Sequence, residues 1–69
     1  MLCYYIDWYR VNCHNCNVDF TFPVDARLQI AIVTAIAEEI HQSNNSKCSD
    51  MLLTVQVIEK NKRIEIINA

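Results

Sequence analysis

Glycine is absent from this 69-residue chain, and proline occurs once. Without glycine there is no phosphate-cradling loop of the Gly-rich kind, and any left-handed backbone position must fall to a residue such as Asn. Basic charge is scarce as well. The 6 Lys and Arg against 8 Asp and Glu leave a net charge of −2, too weak a field to gather nucleic acid or an anionic membrane surface. Long apolar runs are lacking. The longest, Ile30 to Ala37, is broken by Thr34 and flanked by Arg27, Glu38 and Glu39, far short of the ~20 residues that cross a bilayer. Met1 leads directly into an aromatic, strand-like segment carrying Asp7 and not into a basic and then apolar leader. A cytoplasmic protein without membrane attachment is the expectation.

What is present is apolar and patterned. Hydrophobic residues make up 52% and charged residues 20%, a balance that folds, and the length supports one small domain over residues 1–69. Leu2 to Val11 is rich in strand formers. Leu2, Tyr4, Ile6 and Trp8 alternate onto one face, read as the core face, while Cys3, Tyr5, Asp7 and Tyr9 take the other. The Asn-rich stretch from Asn12 to Asn17 supplies a turn. Val18, Phe20 and Phe22 then alternate with polar residues in a second, antiparallel strand that Pro23 closes. Asp25 is placed to cap a helix from Ala26 to Gln42, whose core stripe is Ala26, Ile30, Val33, Ala37 and Ile40 with Ile36 beside it. Leu28, Ile32 and Ala35 form a second apolar flank, more than one sheet face requires.

The polar run from Gln42 to Asp50 ends the helix. Met51 to Ile58 reads as a third strand. Lys60, Asn61 and Lys62 turn the chain into a fourth, Arg63 to Asn68. The resulting fold class is α+β. It is a two-layer ββαββ arrangement, a four-stranded, mainly antiparallel sheet with one helix packed on one face and the other face uncovered.

Four cysteines in so short a chain call for a chemical reason, because small cores often need a staple. Cys13 and Cys16 form a Cys-x-x-Cys pair in the first turn. If strand two runs away from that turn and the helix runs back, His41 and Cys48 return to the same pole. Cys13, Cys16, Cys48 and His41, with His14 as the fallback, then make a Cys3His set suited to zinc. A Cys13 to Cys16 disulfide and free thiols are the alternatives, and His41 is also readable as a solvated residue near the helix C-terminus. Cys3 lies at the far end of strand one, an ordinary packed or edge thiol. Thiol redox catalysis normally places this motif at a helix N-terminus, which lowers a sulfur's pKa; a hairpin turn provides no such dipole.

The acids Asp7, Asp19, Asp25, Glu38 and Glu39 are scattered, and no catalytic grouping can be assembled, so no enzyme is expected. Tyr5 and Tyr9 on the open face, with Leu28, Ile32 and Ala35 on the helix flank, are the candidate protein-binding residues. The leading expectation is a non-enzymatic module that binds and occludes a partner protein, or pairs with itself as a homodimer. Inhibitors encoded by phages and mobile elements, anti-CRISPR proteins among them, share this build by size alone. The alternatives are a zinc-stapled nucleic-acid binder, with only Arg10 and Lys47 near the cluster, and a thiol redox or metal-handling protein using Cys13 and Cys16.

Overall fold

The computed structural model describes residues 2–44, 47–48 and 52–66. Strand β1 runs Leu2–Cys13, β2 runs Val18–Asp25, helix α1 spans Ile30–Asn44, and β3 runs Leu53–Ile66. The sheet is three-stranded in the order β2-β1-β3, with both pairings antiparallel. The class is α+β with one helix, as the residue patterns indicate; the four-stranded count is corrected to three.

The missing boundary lies at Asn61. The pattern of Lys60, Asn61 and Lys62 predicts a hairpin turn, but β3 continues through them against β1. Between the pairs Ile6↔Lys62 and Trp8↔Glu59, β1 contributes only Asp7 while β3 contributes Lys60 and Asn61, which is a β-bulge. Asn61 takes φ 53°, a left-handed angle that Asn adopts more readily than other residues with a side chain. Its N–H donates to Asp7 Oδ1 at 2.8 Å. Asp7 is buried at 5% exposure, so its carboxylate supplies the partner that the bulge would otherwise deny the backbone. Turn and bulge chemistry look alike in sequence because both need a residue tolerant of positive φ. The Asn12 to Asn17 turn is as expected, with Asn17 at φ 54°.

The face assignment of β1 is inverted. Asp7, Tyr9, Val11 and Cys13 are buried on the helix side, and Trp8 alternates to the opposite face, where it is half-buried. Tyr9 therefore belongs to the core and not to the open face. Its cross-strand neighbour Phe22 holds it there, with ring centroids 6.3 Å apart. Both faces of β1 carry aromatic rings, so alternation alone could not choose between them. The core comprises Tyr9, Val11, Phe22, Val24, Val33 and Ala37, with Phe20, Leu28, Ile36, Ile40, Leu53 and Val55 packed on it.

Pro23 does not end β2, which continues to Asp25. β2 is an edge strand, where every second N–H faces away from the sheet and proline is tolerated. The helix starts four residues later than the Ala26 expected. Asp25 Oδ1 accepts the Arg27 N–H at 2.9 Å, and the Asp25 carbonyl accepts the Leu28 N–H at 3.0 Å, so Asp25 closes a turn before the helix and is not its cap. Leu28 consequently leaves the helix flank and packs, half-buried, on the core. Ile30, expected in the core stripe, is exposed. At the other end Asn44 Nδ2 donates to the Ile40 carbonyl at 3.1 Å, satisfying one of the orphan acceptors of the last turn. Among the described residues no helix is long and apolar enough to cross a membrane.

Removing the Asp7 carboxylate leaves the Asn61 N–H without its partner. Asp7→Ala is expected to lower unfolding free energy by about 1–3 kcal/mol, whereas Asn61→Gly, which keeps the left-handed angle accessible, changes it far less. Urea titration of the two variants checks this ordering.

Candidate metal centre

The turn between β1 and β2 is tight because Cys13 still pairs with Val18, leaving residues 14–17 as the loop. Such a loop brings side chains three apart onto one side, and Cys16 Sγ lies 2.8 Å from Cys13 Sγ. β2 then carries the chain away over eight residues, roughly 26 Å at ~3.3 Å each. The fifteen residues of α1 return it by roughly 22 Å at ~1.5 Å each. The helix thus ends over the turn where it began.

Val33, Ala37 and His41 recur every fourth residue and are the buried line of α1. Ala37 presents only a methyl group, which lets the helix lie close to the sheet and carries His41 inward. His41 is 0% exposed, and its Nε2 lies 2.9 Å from Cys16 Sγ. It is the buried fourth member of the expected set and not the solvated residue of the alternative reading, because it follows Ala37 by four residues on the buried line. Cys48 follows the helix, with its Sγ 3.8 Å from Cys13 Sγ. On the third side β3 closes the pole, where the His14 N–H donates to the Leu52 carbonyl at 3.1 Å.

The ligand atoms of Cys13, Cys16, His41 and Cys48 all lie within 4.8 Å of one another. A tetrahedral zinc with ~2.3 Å Zn–S bonds has S···S edges of about 3.8 Å. The Cys13 to Cys48 separation of 3.8 Å equals such an edge, and the contacts of 2.8 and 2.9 Å are shorter by about an ångström or less. Cys13 is buried, Cys16 and Cys48 are half-buried, and none of the three is joined in a disulfide. These four residues lie close enough together to hold a metal ion.

The electrostatics of the pole favour thiolate at one sulfur. Cys16 donates its S–H to Cys13, and that bond, with backbone N–H groups at Asn15, Cys16 and Leu52, lowers Cys13 to about 6 despite its burial. Burial first, then the bond to Cys13, pushes Cys16 up to about 12. The pair therefore holds one proton between two sulfurs, and a cation entering the cluster would displace it. The second ring nitrogen of His41, Nδ1, is buried with no hydrogen-bond partner among the described residues.

The remaining candidates lie elsewhere. His14 is exposed and its Nε2 contacts Thr54 Oγ1 at 2.7 Å, outside the cluster. Cys3 is exposed near the opposite end of β1, where Arg63 Nη2 donates to its sulfur at 3.3 Å. Of the surface residues expected to bind protein, Tyr5 and Ile32 are exposed at 51% and 47%. Ala35 is also exposed, whereas Tyr9 and Leu28 serve the core. Asp7 and Asn61 were not singled out as a pair; their partnership spans 54 positions and leaves no local trace.

Loss of an imidazole at the pole should separate the two histidines. His41→Ala is expected to weaken cobalt(II) binding at least ~10-fold and to alter its tetrahedral d–d absorption, while His14→Ala leaves both unchanged; an optical titration reads the difference. Compared with protein-family models, curated proteins and solved structures, the chain matches none, leaving the chemistry of its own side chains as the guide to function.

Proposed function

We propose that this chain is a non-enzymatic protein-interaction module whose small core is stapled by a structural zinc ion on Cys13, Cys16, Cys48 and His41. The observation that carries the reading is the set of three sulfurs and one imidazole within 4.8 Å, drawn from the hairpin turn, the helix end and the segment beyond it. Sulfur and imidazole donors in this ratio suit zinc better than a hard cation. Four protein ligands fill a tetrahedron and leave no position for an activated water, which argues for a structural and against a catalytic role. The energetics agree with need. Six apolar side chains are buried in the core among the described residues, at about 1.5–3 kcal/mol for each large one, and zinc in small domains contributes about 10–16 kcal/mol.

Binding of a protein partner is supported by what the helix leaves uncovered. Trp8 and Ile6 sit half-buried on the sheet face away from the helix, joined by Tyr4 at 39% exposure. An ion pair of Arg10 and Asp19 lies at the rim, with Arg10 Nε donating to Asp19 Oδ1 at 3.0 Å. Aromatic and aliphatic centre with charged rim is the anatomy of a protein interface. Occlusion of a partner, as an inhibitor acts, is the use this surface fits. The same ion pair weakens the nucleic-acid alternative, because Arg10 is already neutralised and only Lys47 remains near the cluster.

Two observations favour a second reading. The 2.8 Å contact of Cys13 with Cys16 and the lowered pKa of Cys13 are what a thiol redox or metal-handling protein would use. Native mass spectrometry separates the two. The structural reading expects one zinc per chain, lost to chelator together with the cooperative thermal transition. A chain that melts identically with and without chelator would remove the staple, and rapid exchange of the Cys13 sulfur with a small disulfide in the zinc-loaded protein would favour the redox role.

A further inference from the structure

The Cys13 and Cys16 sulfurs stand 2.8 Å apart, whereas the Cys48 sulfur stands 3.8 Å from that of Cys13. The difference has a local cause. Cys13 still pairs with Val18 across the hairpin, so a loop of residues 14–17 holds Cys13 and Cys16 together, and closing so short a loop costs little entropy. Cys48 instead reaches the cluster from 35 positions beyond Cys13, after β2 and α1. The Cys13 to Cys16 separation exceeds the ~2.05 Å of a disulfide bond by only about 0.8 Å.

Access to the two sulfurs differs. Cys13 is 1% exposed. Cys16 is half-buried, with exposed His14, Asn15 and Asn17 around it in the turn, so of this pair it is the one open to a small solute. Metal ligation holds every cysteine of the cluster as thiolate, and access then selects which sulfur is attacked. Cys3 takes no part, because it lies near the opposite end of β1 beside Arg63.

We infer that Cys16 is an oxidation site for hydrogen peroxide and Cys13 its resolving sulfur, so that formation of a Cys13 to Cys16 disulfide releases the zinc staple. The inference rests on the zinc-staple reading and assigns that site its regulation. The Cys16 thiolate attacks one peroxide oxygen; the O–O bond breaks, hydroxide leaves, and Cys16 becomes a sulfenic acid. The Cys13 thiolate then attacks the Cys16 sulfur, the S–O bond breaks, a second hydroxide leaves and the S–S bond forms. Two electrons pass from the sulfurs to the peroxide, and the two hydroxides take protons from solvent to become water. A disulfide is a poor zinc donor, and His41 and Cys48 remain as two ligands where a structural site needs four. Helix end and hairpin turn thereby lose their common tie, and the fold that presents the partner surface loses the stabilisation the metal supplied. Thiols restore the site by exchange, since a disulfide lies on the reversible part of the oxidation ladder.

Peroxide treatment of the zinc-loaded chain, with released zinc read by a chromophoric chelator, tests the inference. Zinc is expected to leave as the disulfide forms, and reductant with added zinc to reload the site. Trypsin places Cys13 and Cys16 together in the peptide between Arg10 and Arg27, and Cys48 in the one after Lys47, so alkylation under denaturing conditions maps the pairing by mass: the first peptide resists the reagent and the second takes it up. Cys16→His, which keeps a ligand but removes the attacked sulfur, should slow zinc release at least ~10-fold, while Cys3→Ser releases zinc as the natural chain does. If the Cys16 variant does not load zinc, the peptide map of the natural chain decides. Zinc retained under peroxide, a disulfide that includes Cys48, or sulfinic acid without a disulfide would each overturn the inference and leave the staple standing. A chain that holds no zinc before peroxide is added overturns the staple, and the release with it, and the zinc content measured at the outset tells the two failures apart.

Discussion

Leu53 lies opposite Cys13 and Ile66 opposite Leu2, so a single strand pairing runs the whole length of the molecule and every other feature is positioned against it. It makes β1 central, with β2 and β3 as edges. It also ties the start of β3 to the first hairpin turn, which keeps the segment carrying Cys48 at the pole of Cys13 and Cys16. Straight pairing over this length would accumulate twist, and the strands fall out of step twice, at the Asn61 bulge and again between Trp8↔Glu59 and Tyr9↔Val57. A buried carboxylate is retained to satisfy the first.

Two poles of different character follow. At one, three thiols and an imidazole crowd into a dry space where the helix, the turn and β3 meet. Cys13 and Cys16 hold one proton between two sulfurs there, and a cation entering the cluster would displace it. At the other pole β1 and β3 continue past the end of β2 as a two-stranded ribbon.

The part of this legible in sequence was local or depended on counting. Cys-x-x-Cys in an Asn-rich turn, a strand of known length and a helix of known length suffice to bring His41 and Cys48 back to Cys13, because rise per residue is nearly constant. The alternation of Val18, Phe20 and Phe22 placed β2 on the core, and Val33, Ala37 and Ile40 marked the helical stripe, because burial is periodic in both elements. The absence of glycine correctly assigned left-handed positions to Asn.

Tertiary structure alone decided the matters on which residue type is silent. Whether Tyr9 or Trp8 faced the helix depended on Phe22 lying opposite Tyr9, a choice made by register between strands. Whether Asn61 turned the chain or bulged it depended on Asp7, more than fifty residues earlier, offering an acceptor inside the fold. The sequence determined the chemistry of each pole and the direction of each element. Packing determined which side chains were dry and where pairing stopped, because those are properties of contacts between distant segments and not of the segments themselves.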